Sequence, residues 1–229
     1  MLGQQLAARG HTGCILLGIT PEGVEIAAHA AKAMGAQFDV LVAAFIKLGA
    51  KLAPIGAMAE SAPAEMDPDF QPGMNLLEKL AAAIDESRAQ VKQDLVLYRT
   101  QRPVKSLQGR TAIIVDGQIV YPWKVLASAK AAEGLGAREI VIATPVATQP
   151  AADRIRGRQY ALVCPTVVLE QEGHPKPYGD GGADAPEKLK SIMIAHQAAL
   201  QVVVCYDFNS TMSFSSHRCS PAKISWANL

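Results

Sequence analysis

The chain has no surplus of either charge. Lysine and arginine number 22 against 21 aspartate and glutamate, a formal net charge of +1 across 229 residues. That balance gives no electrostatic case for nucleic acid or for an anionic membrane surface. No apolar run reaches the length of a membrane span. Met1 to Gly10 lacks the cationic-then-apolar order of a signal peptide. A cytoplasmic protein is therefore expected, with neither nucleic acid nor membrane as partner.

Cysteine and histidine are sparse. The four cysteines, Cys14, Cys164, Cys205 and Cys219, include no CxxC pair, which argues against a zinc site or a dithiol redox motif. Cys14 and Cys164 lie in apolar runs and are expected to pack as small hydrophobes. The histidines, His11, His29, His174, His196 and His217, never fall at metal-ligand spacing. A P-loop, a GxGxxG turn and a serine nucleophile elbow are all missing. What remains is a chain that is 49% apolar and 19% charged, long enough for one α/β domain with a sizeable core.

Apolar runs alternate with helical segments. Met1 to Arg9 reads as a short helix, Gly13 to Gly18 as a buried strand and Ile19 to Gly23 as a turn. Val24 to Met34 follows as an Ala-rich helix ending at Gly35, then Phe38 to Ala44 as a second strand. This order, with short turns, predicts a parallel sheet. Leu48 to Pro72, rich in Ala, Pro and Met, reads as irregular structure or a flap. Leu76 to Tyr98 gives a long helix, with Leu77, Leu80, Ala81, Ile84, Val91 and Leu95 near helical spacing. A strand at Thr111 to Val115, a helix at Pro122 to Leu135 and a strand at Glu139 to Thr144 come next. A short helix at Ala151 to Gly157 precedes a fifth strand, Ala161 to Leu169, interrupted by Pro165. His174 to Pro186 reads as a loop, Pro186 to Gln197 as a helix, and Ala198 to Leu229 as a tail of different texture.

The most informative stretch is Thr111-Ala112-Ile113-Ile114-Val115-Asp116-Gly117-Gln118 and the Ile119-Val120-Tyr121-Pro122-Trp123-Lys124 that follows. An apolar run ends at an acidic residue, a short loop follows, and a helix opens with Pro122. That is the layout of a strand whose carboxyl end presents an Asp to a ligand in an α/β sheet.

Several strings in the same order support a resemblance: Leu17-Gly18-Ile19-Thr20-Pro21-Glu22-Gly23-Val24, Lys47-Leu48-Gly49-Ala50, Ile55-Gly56-Ala57-Met58-Ala59-Glu60 and Leu107-Gln108-Gly109-Arg110-Thr111. Over about Met1 to His196 the chain resembles the type I phosphoribosyltransferases. The resemblance implies a single α/β domain over 1–196, with a central, mostly parallel sheet and helices on both faces. It also implies a small hood or flap over about 48–102 and a C-terminal extension over 197–229. The implied ligand is a phosphorylated sugar or nucleotide at the carboxyl ends of the strands, with Mg2+ on its phosphates, and a homo-oligomer is expected. The crevice is expected between the Ile19–Gly23 turn, the Phe45–Ala50 loop and the Asp116–Lys124 loop. Asp116 would take the ribose or the metal. Glu22, Gly23, Lys47, Gly117, Gln118, Tyr121, Trp123 and Lys124 would face the ligand.

The chain departs from the family at each working point. Asp116-Gly117 leaves one carboxylate where the family has an acidic pair. Tyr121, Pro122 and Trp123 stand where small Gly, Ala and Thr residues wrap the 5′-phosphate, and Pro122 supplies no N–H. Pro21-Glu22-Gly23 aligns with an Arg-Gly-Gly turn, so a cation is lost and a carboxylate gained. Two functions follow from the resemblance: a binder of a phosphorylated sugar or nucleotide that would transfer the pentose if active, or an inactive homologue serving as a binding, regulatory or oligomerisation module. Bland alternatives stand beside both. Asp116 would then cap a turn or the next helix, Glu22 would be a solvated loop residue, and Tyr121 and Trp123 would be packing residues. Lys47 and Arg110 are strand-end cations that would reach an anion or stay solvated.

Overall fold

The computed structural model describes residues 2–8, 13–99 and 105–169. The chain divides into two units, Met1–Met193 and Ile194–Leu229, and every described residue lies in the first. The loop, helix and tail expected after His174, and the boundary expected at 196, lie outside the described residues.

The elements in chain order are α1 (Leu2–Ala8), β1 (Ile15–Gly18), α2 (Pro21–Met34), β2 (Gln37–Val40), β3 (Ala43–Ile46), β4 (Gly56–Ala59) and β5 (Glu65–Met66). A 3-10 turn (Met74–Leu76) then leads into α3 (Leu77–Arg99). β6 (Thr111–Val115), α4 (Trp123–Gly134), β7 (Glu139–Ala143), β8 (Val146–Thr148), α5 (Gln149–Gly157), β9 (Ala161–Val163) and β10 (Thr166–Val168) follow. Five strands form a parallel sheet in the order β2-β1-β6-β7-β9. This is the expected α/β class.

The sheet is buried on both faces, which explains the near-continuous apolar strands. Successive residues point to opposite sides. Ile15, Leu17, Ala112, Ile114 and Ile142 pack with α4 and α5, while Leu16, Ile113, Val115, Val141 and Ala143 pack with α1 and α2. From β1 the chain crosses to β2 on one side, whereas from β6 it crosses to β7 on the other. The direction of winding therefore reverses between β1 and β6. The carboxyl ends of these two strands form the crevice where such sheets place ligands.

Phe38 to Ala44, expected as one strand, is two. β2 ends at Val40 in the parallel sheet, and β3 starts at Ala43 in a separate antiparallel sheet, β3-β4-β5. The apolar run continues through the bend because both sheets are buried. A buried ion pair satisfies the backbone there. Glu60 Oε1 accepts from the Val42 N–H at 2.9 Å, and Arg99 donates to the Val40 carbonyl and, at 2.6 Å, to Glu60. Likewise, Pro165 splits 161–169 into β9 and β10, and β10 pairs with β8 instead.

The Leu48–Pro72 region carries β4 and β5 instead of wholly irregular structure. Gly-Ala-Met-Ala is a poor strand sequence by propensity, and burial of all four β4 residues makes it one. Gly56 is required by close approach: a Cβ there would lie 2.5 Å from the Glu65 carbonyl oxygen. In α3 the buried face is Ala83, Ser87, Val91 and Arg99. Leu77, placed on the inner stripe by its spacing, is 50% exposed. Arg110 does not reach the crevice. Its guanidinium donates to the carbonyls of Gly13 and Cys14 and to Gln37 Oε1, at the amino end of the sheet. Among the described residues no helix is long and apolar enough to cross a membrane.

Candidate functional site

Thr20 and Asp116 face each other across the point where the winding reverses. Thr20 follows β1 and caps α2, its Oγ1 accepting from the Gly23 N–H at 3.1 Å, with Pro21 next in the helix. Asp116 follows β6 and is buried. The Thr20 hydroxyl donates to Asp116 Oδ1 at 2.8 Å and accepts from the Gly117 N–H at 3.4 Å. The Gln118 N–H reaches the same carboxylate oxygen at 3.5 Å. Sequence reasoning missed Thr20 as a site residue, although a Thr before Pro-Glu-Gly is a legible cap signal.

Burial pushes the Asp116 carboxyl above the usual carboxylate range. The Thr20 hydrogen bond, the Lys124 ammonium and the N–H groups of Gln118 and Gly117 oppose that shift.

Glu22 lies in the first turn of α2, exposed, not in a loop. Its side chain fills the space beside Gly117: a Cβ at 117 would lie 2.6 Å from Glu22 Cβ. Gly23 is equally constrained, because a Cβ there would lie 2.4 Å from the Val115 carbonyl oxygen. The helix start is thus pressed onto the end of β6, and only glycines permit it.

The loop after Asp116 is stitched to β8. Ile119 donates its N–H to the Val146 carbonyl at 3.0 Å, and its own carbonyl accepts from Thr148 N–H at 2.9 Å. The Thr148 hydroxyl donates to the Val120 carbonyl at 3.0 Å. Trp123 is 4% exposed and belongs to the core, with Arg154 lying over its ring at 5.6 Å. Tyr121 is half-buried and meets Phe45 edge-on, the ring centroids 6.4 Å apart.

Two spaces meet at Lys124. An open cleft of about 720 Å³ runs between the Phe45–Ala50 loop and α3, lined among others by Phe45, Lys47, Lys79, Gln90, Asp94 and Lys124. A smaller pocket of about 100 Å³ is lined by Ile19, Thr20, Pro21, Tyr98, Asp94 and Lys124. Lys124 lines both, with the Phe45–Ala50 loop in the cleft and with the Ile19–Pro21 turn in the smaller pocket. The Lys124 ammonium lies 4.6 Å from the Phe45 ring centroid and that of Lys47 lies 5.7 Å away. Burial pushes the Lys124 ammonium below the usual lysine range. Asp116, Asp94 and Glu22 oppose this, and Lys47 adds to it. Among the described residues no group of three or more His, Cys, Asp or Glu could hold a metal.

No protein-family model matches the chain. Over 167 residues, 71% of its length, it is 29% identical to the Mycobacterium tuberculosis H37Rv protein named "Putative phosphoribosyl transferase Rv0571c", and equally to the CDC 1551 counterpart MT0597. The match covers 37% of those proteins, so the chain spans little more than a third of the curated relatives it matches. Among solved structures, TT1426 from Thermus thermophilus has the same fold, with a TM-score of 0.69 and 23% identity over 85% of this chain and 93% of that one. By sequence the chain is similar to these proteins named as phosphoribosyl transferases, and its parallel-sheet fold is that of TT1426.

Proposed function

We propose that the chain binds a phosphorylated sugar or nucleotide at the carboxyl ends of β1 and β6, with Asp116 directed to the sugar hydroxyls. The observation that carries this reading is the Thr20–Asp116 contact at the reversal of winding, where the hydroxyl and the carboxyl are held 2.8 Å apart. Lys124, which shares a pocket with Thr20, and Lys47, which meets the same Phe45 ring as Lys124, favour an anionic ligand. Asp116 and Glu22 provide one or two carboxylates, a donor set that suits Mg2+ arriving on the ligand's phosphates with most of its waters. Bound there, the metal would neutralise phosphate charge. A ligand of this class is in keeping with a cytoplasmic protein.

A second reading, a homologue without transfer activity acting as a binding, regulatory or oligomerisation module, is favoured by the loop itself. The Gly117, Gln118 and Ile119 N–H groups already have acceptors, and Pro122 has no N–H. A backbone cradle for the 5′-phosphate is therefore depleted. The two readings agree on binding and differ on pentose transfer.

Calorimetric titration with phosphoribosyl pyrophosphate and magnesium tests the shared part. Saturable binding that weakens in Asp116→Asn supports it, and absence of binding removes it. Release of pyrophosphate on adding a panel of nucleobases would establish transfer.

A further inference from the structure

Three lysines reach the 720 Å³ cleft from different elements: Lys47 from the loop after β3, Lys79 from the start of α3 and Lys124 from the first turn of α4. Among the described residues none of the three makes an ion pair or a side-chain hydrogen bond. Elsewhere among the described residues several cations are matched: Arg158 and Lys130 to Glu65, Arg154 to Asp69 and Arg99 to Glu60. The cleft also holds two carboxylates, Glu86 and Asp94, fewer than its three lysines, and neither makes an ion pair with them. Three ammoniums brought towards one cleft without a contact ion pair leave room for an anion between them. The Phe45 ring, with Lys47 on it at 5.7 Å and Lys124 at 4.6 Å, keeps both ammoniums at one wall.

The usual alternative is depleted: the N–H groups of Gly117, Gln118 and Ile119 already have acceptors, and Pro122 has no N–H to give. We propose that the ligand's phosphate is gripped by the side chains of Lys47, Lys79 and Lys124 against Phe45, and not by the backbone of the loop after β6. Lysine suits such a grip, because each ammonium is a point charge on a flexible stem and needs no fixed fork geometry. The cleft volume falls within the range of small-ligand sites. The inference rests on the reading above, that the ligand is phosphorylated.

Calorimetry on the full chain separates the two claims, using ribose 5-phosphate, inorganic phosphate and ribose as probes. Lys47 and Lys79 are exposed, so Lys47→Gln combined with Lys79→Gln keeps the fold. The expected result is a loss of affinity for ribose 5-phosphate of about tenfold or more in that double variant. Lys32→Gln combined with Lys92→Gln, an equal charge change at exposed positions outside the cleft, should leave affinity unchanged. Wild-type affinity retained in the cleft variant would overturn the lysine grip and leave the sugar-phosphate reading standing. Equal losses in both doubles would also overturn it, as an effect of net charge. Lysine-dependent binding of inorganic phosphate no weaker than that of ribose 5-phosphate would uphold the grip and remove the sugar from the proposed function. No binding of any probe would overturn both.

Discussion

The Thr20 hydroxyl joins three groups at once: it donates to Asp116 Oδ1 at 2.8 Å and accepts from the N–H groups of Gly23 at 3.1 Å and Gly117 at 3.4 Å. It therefore ties the start of α2 to the end of β6. Thr20→Val keeps the shape and removes the hydroxyl. Loss of the cap alone costs about 1–2 kcal/mol, and the buried Asp116 loses its donor as well. Urea denaturation should show Thr20→Val destabilised by about 2–3 kcal/mol. Thr20→Ser should lie within about 1 kcal/mol of wild type, because the hydroxyl is kept. Equal losses in both variants would mean that the methyl packing, and not the hydrogen bonds, matters.

Asp116 is the next test, because its charge opposes its burial. Its folded pKa is raised by that burial. A carboxyl of this kind contributes stability below its unfolded pKa, about 3.9 for an aspartate, and loses that contribution as pH rises through the folded value. Asp116→Asn removes the titration and keeps an oxygen to accept from Thr20. The variant should match wild type near pH 4 and exceed it at pH 7, with Tm higher by about 2–4 °C. Calorimetric scans across that range check it. A variant less stable than wild type at pH 7 would show that the charged form is favoured in the fold. Gain of stability with loss of ligand binding is the pattern of a site residue kept for function.

The buried pair at the β2–β3 bend gives a third prediction. Arg99 is 4% exposed and Glu60 7%, and burial still holds the Glu60 carboxyl above the usual range despite Arg99 and the Val42 N–H. Desolvation outweighs attraction here. Arg99→Leu leaves a buried carboxylate without its cation and should cost about 3–5 kcal/mol at pH 8. The loss should shrink as pH falls and Glu60, its carboxyl already held above the usual range, takes up a proton. Adding Glu60→Gln should recover part of it at pH 8 and little at pH 5, since the amide oxygen still accepts from Val42. Urea midpoints for the two variants at both pH values decide it; a pH-independent loss would argue against a stranded charge.

How much of this is legible in the sequence depends on the distance over which each feature is encoded. β1, β6 and β7 are apolar runs closed by local turn signals, and they lie where periodicity places them. Asp116 is legible because a strand end is a local pattern. The β2–β3 break is not, because its satisfying groups come from Glu60 and Arg99, 18 and 59 residues away from the backbone groups they serve. Lys79 carries no local mark either: it joins the cleft only because α3 folds back over the Phe45–Ala50 loop. The helical stripe of α3 misplaces Leu77, since that helix packs on a sheet that local pattern does not reveal. Trp123 stands open between ligand and packing in the sequence, and the core takes it. The separate departures at Glu22 and Gly117 are two losses in one dimension and are adjacent in three.

That adjacency yields the last prediction. With Glu22 Cβ 2.6 Å from where a Cβ at 117 would stand, a side chain cannot be added at 117 unless position 22 gives way. Gly117→Asp, which rebuilds the acidic pair of the family, should therefore destabilise the fold by about 1–3 kcal/mol through overpacking. Glu22→Gly alone removes an acidic residue from the first turn of α2, where it favours the helix dipole, and should cost about 0.3–1 kcal/mol. If steric exclusion links the two positions, the double variant should be more stable than Gly117→Asp alone. The cycle would then show a favourable coupling of about 1 kcal/mol or more. Chemical denaturation of the four proteins measures that coupling. Strict additivity would mean that the helix start shifts to admit the new side chain, and that the glycine at 117 is not held there by Glu22.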